Sequence, residues 1–163
     1  MKRMMLVAAV CAMLAGCDYT VPLVKTPSAV IDRAVVGLWR RANDEQDKES
    51  LLVLPLGEKE YLVVYPAESK DAMFARGCLC RNASNTLVQL DWFGTAKGKL
   101  PDDNRTFQYA AYKVESDVLR LRLLNPDAVA KDIASSDELA KAIADNQGKA
   151  NLYRDEMVFR RIQ

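Results

Sequence analysis

The sequence predicts a mainly β fold, an antiparallel sheet of about eight strands closing into a barrel, with one or two helices before the last strand. Three observations carry this expectation. From about residue 34 the chain breaks into short runs rich in Val, Leu, Tyr and Trp, separated by Gly, Pro, Asn, Asp and Ser. Several runs alternate apolar and polar residues, the period-two pattern of a strand with one buried face. Helical signals are confined to a stretch near the end. Many short strands with regular turns suit a sandwich or a closed barrel; the barrel is the first expectation and an open sheet or sandwich the second.

Residues 35–41 carry Gly37-Leu38-Trp39 and form the first predicted strand, followed by the polar loop 43–49. Residues 50–56 are apolar and stop at Pro55-Leu56-Gly57. Residues 60–65, rich in Tyr and Val, stop at Pro66, and 72–81 form a further strand. In 86–93, Val88, Leu90 and Trp92 share one face, and 94–104 is a long polar loop. Residues 106–115 and 118–124 make a hairpin around Ser116-Asp117. In its second strand Leu119, Leu121 and Leu123 oppose Arg120 and Arg122. Asn125-Pro126-Asp127 reads as an N-cap with proline at the first helical position, opening a short helix. Ser135 and Glu138 form a Ser-x-x-Glu capping box, opening a helix with Leu139, Ala142 and Ile143 on one face and Gly148 at its end. Residues 153–162 are the last strand, Val158, Arg160 and Ile162 opposing Met157, Phe159 and Arg161.

The first residues form three zones. Lys2 and Arg3 are positive, residues 4–15 carry no charge, and Ala15, Gly16 and Cys17 end the segment with small residues and a cysteine. This is the order of a secretory signal. As a helix, 4–15 would rise only ~18 Å, short of a ~30 Å hydrocarbon core, which argues against a membrane span. Leu14-Ala15-Gly16-Cys17 resembles the lipobox of bacterial lipoproteins. The resemblance implies diacylglycerol on the Cys17 thiol, cleavage just before it, and acylation of the new amine by a palmitate-like chain. Two or more acyl chains anchor stably, since each buried methylene contributes ~0.8 kcal/mol. Asp18 resembles the residue that retains enterobacterial lipoproteins in the inner membrane. The expected location is the periplasmic face of a bacterial envelope, the inner membrane slightly favoured over the outer. Residues 1–16 would then be the signal peptide, 17–33 the lipidated N-terminus and a flexible tether, and 34–163 a single β-rich domain. Pro22, Pro27 and the absence of periodicity mark the tether, which could reach ~40 Å when extended.

Lys and Arg number 23 against 22 Asp and Glu, a formal charge of +1, and the sequence has no histidine. Nothing resembles the concentrated basic surface of a nucleic-acid binder. The lack of histidine removes Ser-His-Asp and Cys-His catalysis and His-dependent zinc sites. It also removes the commonest proton carrier near neutral pH. No phosphate-binding loop or dinucleotide fingerprint is present. The expectation is a non-catalytic chain without cofactor or metal.

Gly37-Leu38-Trp39 resembles the Gly-x-Trp of lipocalin-like barrels, where it opens the first strand. The resemblance implies that Trp39 closes the barrel floor and that a late arginine, Arg160 or Arg161, packs over its ring. Such a guanidinium–indole contact is worth ~0.5–2 kcal/mol depending on burial. The chain departs from lipocalins in lacking a Thr-Asp-Tyr motif and in placing a helix before its last strand.

Cys78 and Cys80 are the cysteines left once Cys11 is cleaved away and Cys17 acylated. In an oxidising envelope they could pair. On a regular strand they point the same way with Cα atoms ~6.5 Å apart, near the limit for a disulfide, so a bridge would need a bulge or turn at Gly77. Two small buried residues, or a redox pair beside Arg76 and Arg81, are the alternatives. Asp102-Asp103-Asn104 lacks the spacing of a calcium loop and reads as a solvated turn. Asp91, opposite Leu90 and Trp92, is expected to face solvent. Asn82-Ala83-Ser84 and Asn104-Arg105-Thr106 match a glycosylation pattern by chance, and 44–49 is a solvated acidic loop. The expected role is an anchored interaction or accessory domain that docks another envelope protein. The alternative is a lipocalin-like binder of small apolar ligands, drawing on Trp39, Tyr61, Tyr65, Trp92, Phe107, Tyr109 and Tyr112, provided that side chains do not fill the interior.

Overall fold

A computed structural model describes residues 18–42, 49–82, 85–98 and 104–162. Eight strands lie among these residues: β1 (Gly37–Arg41), β2 (Ser50–Leu56), β3 (Glu60–Tyr65), β4 (Met73–Asn82), β5 (Asn85–Thr95), β6 (Phe107–Glu115), β7 (Val118–Leu123) and β8 (Met157–Arg161). Each pairs antiparallel with the next in sequence. The sheet closes when β8 returns to β1 through Trp39–Arg161, Arg40–Arg160 and Arg41–Phe159. Closure gives every strand two neighbours and removes the exposed edges of an open sheet.

The alternation seen in the sequence sorts the side chains. Trp39, Val53, Tyr61, Val63, Ala75, Trp92, Leu119 and Phe159 form the interior cluster. Intervening residues of β4–β6, among them Cys78, Cys80, Leu87 and Tyr109, point outward. They form a second cluster with Leu124, Val129, Leu139, Ile143 and Leu152 from the long β7–β8 connection. Helix α1 (Ser136–Asp145) lies in that connection and covers the outer face with Leu139 and Ile143. The Ser135 hydroxyl accepts from the Glu138 amide at 3.2 Å, as the capping box requires. The predicted helix at Asn125 does not form. Asn125 instead closes one turn, its carbonyl accepting from Ala128 and Val129 and its side chain from the Asp127 amide. The reason is Asn125's own position: its amide is held by the Leu152 carbonyl, so the segment is pinned to the end of the connection after a single turn.

One end of the barrel is sealed by a short 3-10 turn, Arg33–Val35, capped by the Asp32 carboxylate. Trp39 lies fully buried beside it and donates its indole N–H to the Val35 carbonyl at 2.9 Å. Arg161, not Arg160, covers the ring at 4.1 Å and donates to the Val36 and Ala34 carbonyls, both at 2.7 Å. The alternation decides between the two arginines, because Arg161 shares the inward face with Phe159 while Arg160 points out. Gly37 is required here. Its φ is +146°, and a Cβ would stand 2.6 Å from an Arg161 guanidinium nitrogen.

The expected flexible tether is instead a docked strap. Tyr19 bridges to Phe107 by backbone hydrogen bonds and donates its hydroxyl to the Val129 carbonyl at 2.8 Å. Tyr109 donates to the Val21 carbonyl and accepts from the Leu23 amide. Gln89 holds both backbone groups of Val24 at 2.9 and 3.0 Å. The strap ends where the Ile31 amide donates to the Glu58 carbonyl at the sealed end. Residues without periodicity are ordered here because buried side chains of the barrel wall satisfy their backbone, a pairing invisible along the chain.

Cys78 and Cys80 are free, buried thiols rather than a bridge. They sit on one face of a regularly paired stretch of β4, opposite Gln89 and Leu87, and Gly77 pairs with Leu90 without a bulge. Donation of its proton to Cys78, followed by burial, pushes the Cys80 thiol well above its ordinary range.

Two outcomes follow. Arg161→Ala removes the cation over Trp39 and two charge-assisted hydrogen bonds, and is expected to cost about 2–4 kcal/mol in urea unfolding. Arg160→Ala serves as the near-neutral control. Gln89→Ala is expected to cost about 1–3 kcal/mol by leaving the Val24 backbone unpaired. It should also make Cys78 and Cys80 reactive to a thiol reagent that the native wild type resists. Thiol protection unchanged in this variant would show that the strap is not what shields them.

Candidate functional site

The inward faces do not fill the barrel. A cavity of about 700 Å³ remains, lined mainly by Val53, Val63, Val88, Leu90, Leu119, Leu121, Met73 and Met157. This lies within the range of roughly 300–1,000 Å³ typical of small-molecule sites. An eight-stranded barrel is just wide enough either to pack solid or to hold one small ligand. Small Ala75 and Ala110 at buried interior positions favour the second.

The floor is polar only where it is tied together. Asp32 is the hub: its amide donates to the Tyr61 hydroxyl at 2.6 Å, and that hydroxyl donates to the Asp32 carbonyl at 3.1 Å. The Tyr112 hydroxyl donates to Asp32 Oδ2, also at 3.1 Å. Two cavity-lining tyrosines are thereby satisfied at the sealed end, leaving their rings to the cavity.

The opposite end is the mouth, and its lining is more polar. Arg41, 9 % exposed, lies over the Phe159 ring at 5.7 Å. Tyr65 meets Phe159 edge-on and donates its hydroxyl to Glu49. Trp92 donates its indole N–H to Gln108 at 3.2 Å. Tyr153, Arg154 and Glu156 complete the rim from the segment before β8. The Tyr153 ring lies under the Arg122 guanidinium, and its buried hydroxyl has no hydrogen-bond partner.

Asp18 is 0 % exposed and lies at this same end. Its amide donates to the Phe107 carbonyl, at the first residue of β6. One carboxylate oxygen takes a 2.9 Å hydrogen bond from Arg154, and the other pairs with Lys131 at 3.3 Å without a hydrogen bond. Cys17, the lipid-attachment residue of the sequence reading, lies outside the described residues, as do Asp102 and Asp103 and most of the acidic loop. Of the aromatic residues put forward as ligand contacts, Tyr61, Tyr65, Trp92 and Tyr112 line the cavity. Trp39 packs at its floor, and Phe107 and Tyr109 belong to the outer cluster. The reading missed Arg41, Gln108 and Arg154. Arg41 was within reach, since period two from Trp39 turns it inward. Arg154 falls in the predicted strand 153–162, but β8 begins only at Met157, and residues 153–156 instead form an irregular segment at the rim.

Searches against known protein families, curated proteins and solved structures find no match to this chain.

All six tyrosines have raised pKa values, with burial as the largest cause each time. Tyr61 is pushed from 10.0 to about 12, and the Asp32 carboxylate adds to the shift in Tyr61 and Tyr112. A phenol whose folded pKa is raised keeps its proton after the unfolded chain has lost it, so stability is fully present below pH 10 and is lost as pH rises through the folded values. The expected outcome is a stability plateau up to about pH 10 followed by a steep fall. Tyrosinate absorbance should rise together with unfolding; normal titration of the tyrosines in the folded state would contradict the buried network.

Proposed function

We propose that the protein is a lipid-anchored envelope protein whose barrel binds an elongated apolar molecule bearing a polar end. The single observation behind this is the unfilled apolar cavity, sealed at the Trp39 end and open at the other. The anchor is the reading of the sequence from Lys2 to Cys17, and the orientation of the ligand follows from the lining. An apolar tail matches the Val, Leu and Met walls, because burying it removes apolar surface from water at about 25 cal/mol per Å². A polar end belongs at the mouth, beside Arg41 and Arg154. A second reading, docking of an envelope partner, is favoured by Val30, Leu54 and Leu56, apolar residues left exposed toward the sealed end. Ligand capture at one end and partner contact at the other are compatible.

The test is titration of the purified protein with cis-parinaric acid, following the probe's own emission. Saturable one-to-one binding is expected. Ala110→Phe, which places a ring into the cavity from β6, should weaken it by about tenfold or more, equivalent to at least ~1.4 kcal/mol, with the far-UV spectrum preserved. Absence of saturable binding, or equal binding by a folded Ala110→Phe protein, would remove the ligand reading.

A further inference from the structure

We infer that the barrel is held mouth-down on the membrane that carries its anchor, and that its ligand is an acyl chain of a lipid drawn from that bilayer. The inference rests on the ligand-binding reading above and adds the source and route of the ligand. Four observations carry it. Asp18 is clamped at the mouth end, by backbone to Phe107 and by side chain to Arg154 and Lys131. Arg154 is itself part of the rim, so one guanidinium joins the lipidated end of the chain to the opening of the cavity. The attachment cysteine is one peptide unit away, its Cα ~3.8 Å from that of Asp18. The docked strap from Tyr19 to Val24 leaves no slack for the barrel to turn over.

The rim itself suits a bilayer surface. Phe93 sits at the mouth end of β5, at the register shift where Phe74 pairs with Gly94 and Ala75 with Trp92. Phe93 is 51 % exposed. An exposed aromatic ring at the end of the barrel that carries Arg41 and Arg154 fits the headgroup–acyl boundary. The sealed end, carrying Arg161, Trp39 and the Arg33–Val35 turn, then faces away from the lipid. An acyl chain could pass from bilayer to cavity without crossing bulk water, which a free tether would not ensure.

The experiment uses the full lipidated protein in phosphatidylethanolamine–phosphatidylglycerol vesicles doped with a nickel-chelating lipid. A nitroxide is placed on Lys70→Cys, in the loop between β3 and β4 at the mouth, or on Lys59→Cys, in the β2–β3 turn at the sealed end. Relaxation by surface nickel should be several-fold stronger at position 70. Inserting a Gly/Ser spacer of about ten residues between Cys17 and Asp18 should abolish this contrast. The same spacer should slow loading of a pyrene-labelled phosphatidylglycerol from the protein's own bilayer by about tenfold, because the effective concentration of lipid at the mouth falls. Binding of cis-parinaric acid from solution should be unchanged by the spacer. Equal relaxation at the two positions, stronger relaxation at position 59, or a contrast that survives the spacer would overturn the inference. A wild type that binds parinarate yet shows one of these patterns loses the orientation and keeps the ligand reading.

Discussion

Arg161 joins the last strand to the first, and the rest of the barrel depends on that junction. Its guanidinium lies over Trp39 and reaches the carbonyls of Ala34 and Val36, so one side chain ties β8, β1 and the sealing turn together. The contact is possible only because Gly37 has no Cβ where the guanidinium lies. Asp32 performs the matching task from the other side, fixing the same turn to β3 through Tyr61 and to β6 through Tyr112. With the floor held by these two charged residues, the middle of the barrel need not be packed solid to be stable, and a cavity can persist above them.

The closed wall then divides the apolar residues into two cores. The inner one surrounds the cavity. The outer one is built where β4–β6 present Cys78, Cys80, Leu87 and Tyr109 to α1 and the N-terminal strap. This second core explains why a β-barrel of this size carries a long connection before its last strand: that connection supplies the cover. It also gives the cysteines a packing role. Their thiols lie behind the strap and face Gln89, which spends both ends of its side chain on Val24. Buried polar groups of this kind are costly when unpaired, so the strap and the wall hold each other in a single arrangement.

Asp18 shows how one residue can belong to two descriptions. By position it follows the expected lipidated cysteine and resembles a sorting signal. By structure it is a buried carboxylate between Arg154 and Lys131, and a buried acid without those cations would be strongly unfavourable. The structural role stands whether or not the residue is also read by sorting machinery. The wet rim and dry interior follow the same logic. Charged groups gather at the two ends of the barrel, and the walls between them are left to Val, Leu and Met.

By itself the sequence determined the strands and their faces. Period-two alternation in 86–93, 118–124 and 153–162 is a local property, and it was enough to group Trp92 with Val88 and Leu90, Leu121 with Leu119, and Arg161 with Phe159, while closure onto β1 decided that Arg161 and not Arg160 covers Trp39. Capping chemistry at Ser135 and Glu138 likewise placed the start of α1, because the bonds involved span only three residues. What lay beyond it were the contacts between distant segments. The docking of Tyr19–Val24 on Gln89 and Tyr109, the pairing of Asp18 with Arg154 and the single turn at Asn125 all depend on partners far along the chain. The cavity belongs to the same class. Whether eight inward faces meet or leave about 700 Å³ between them depends on how the volumes of residues on all the strands add up once the barrel has closed.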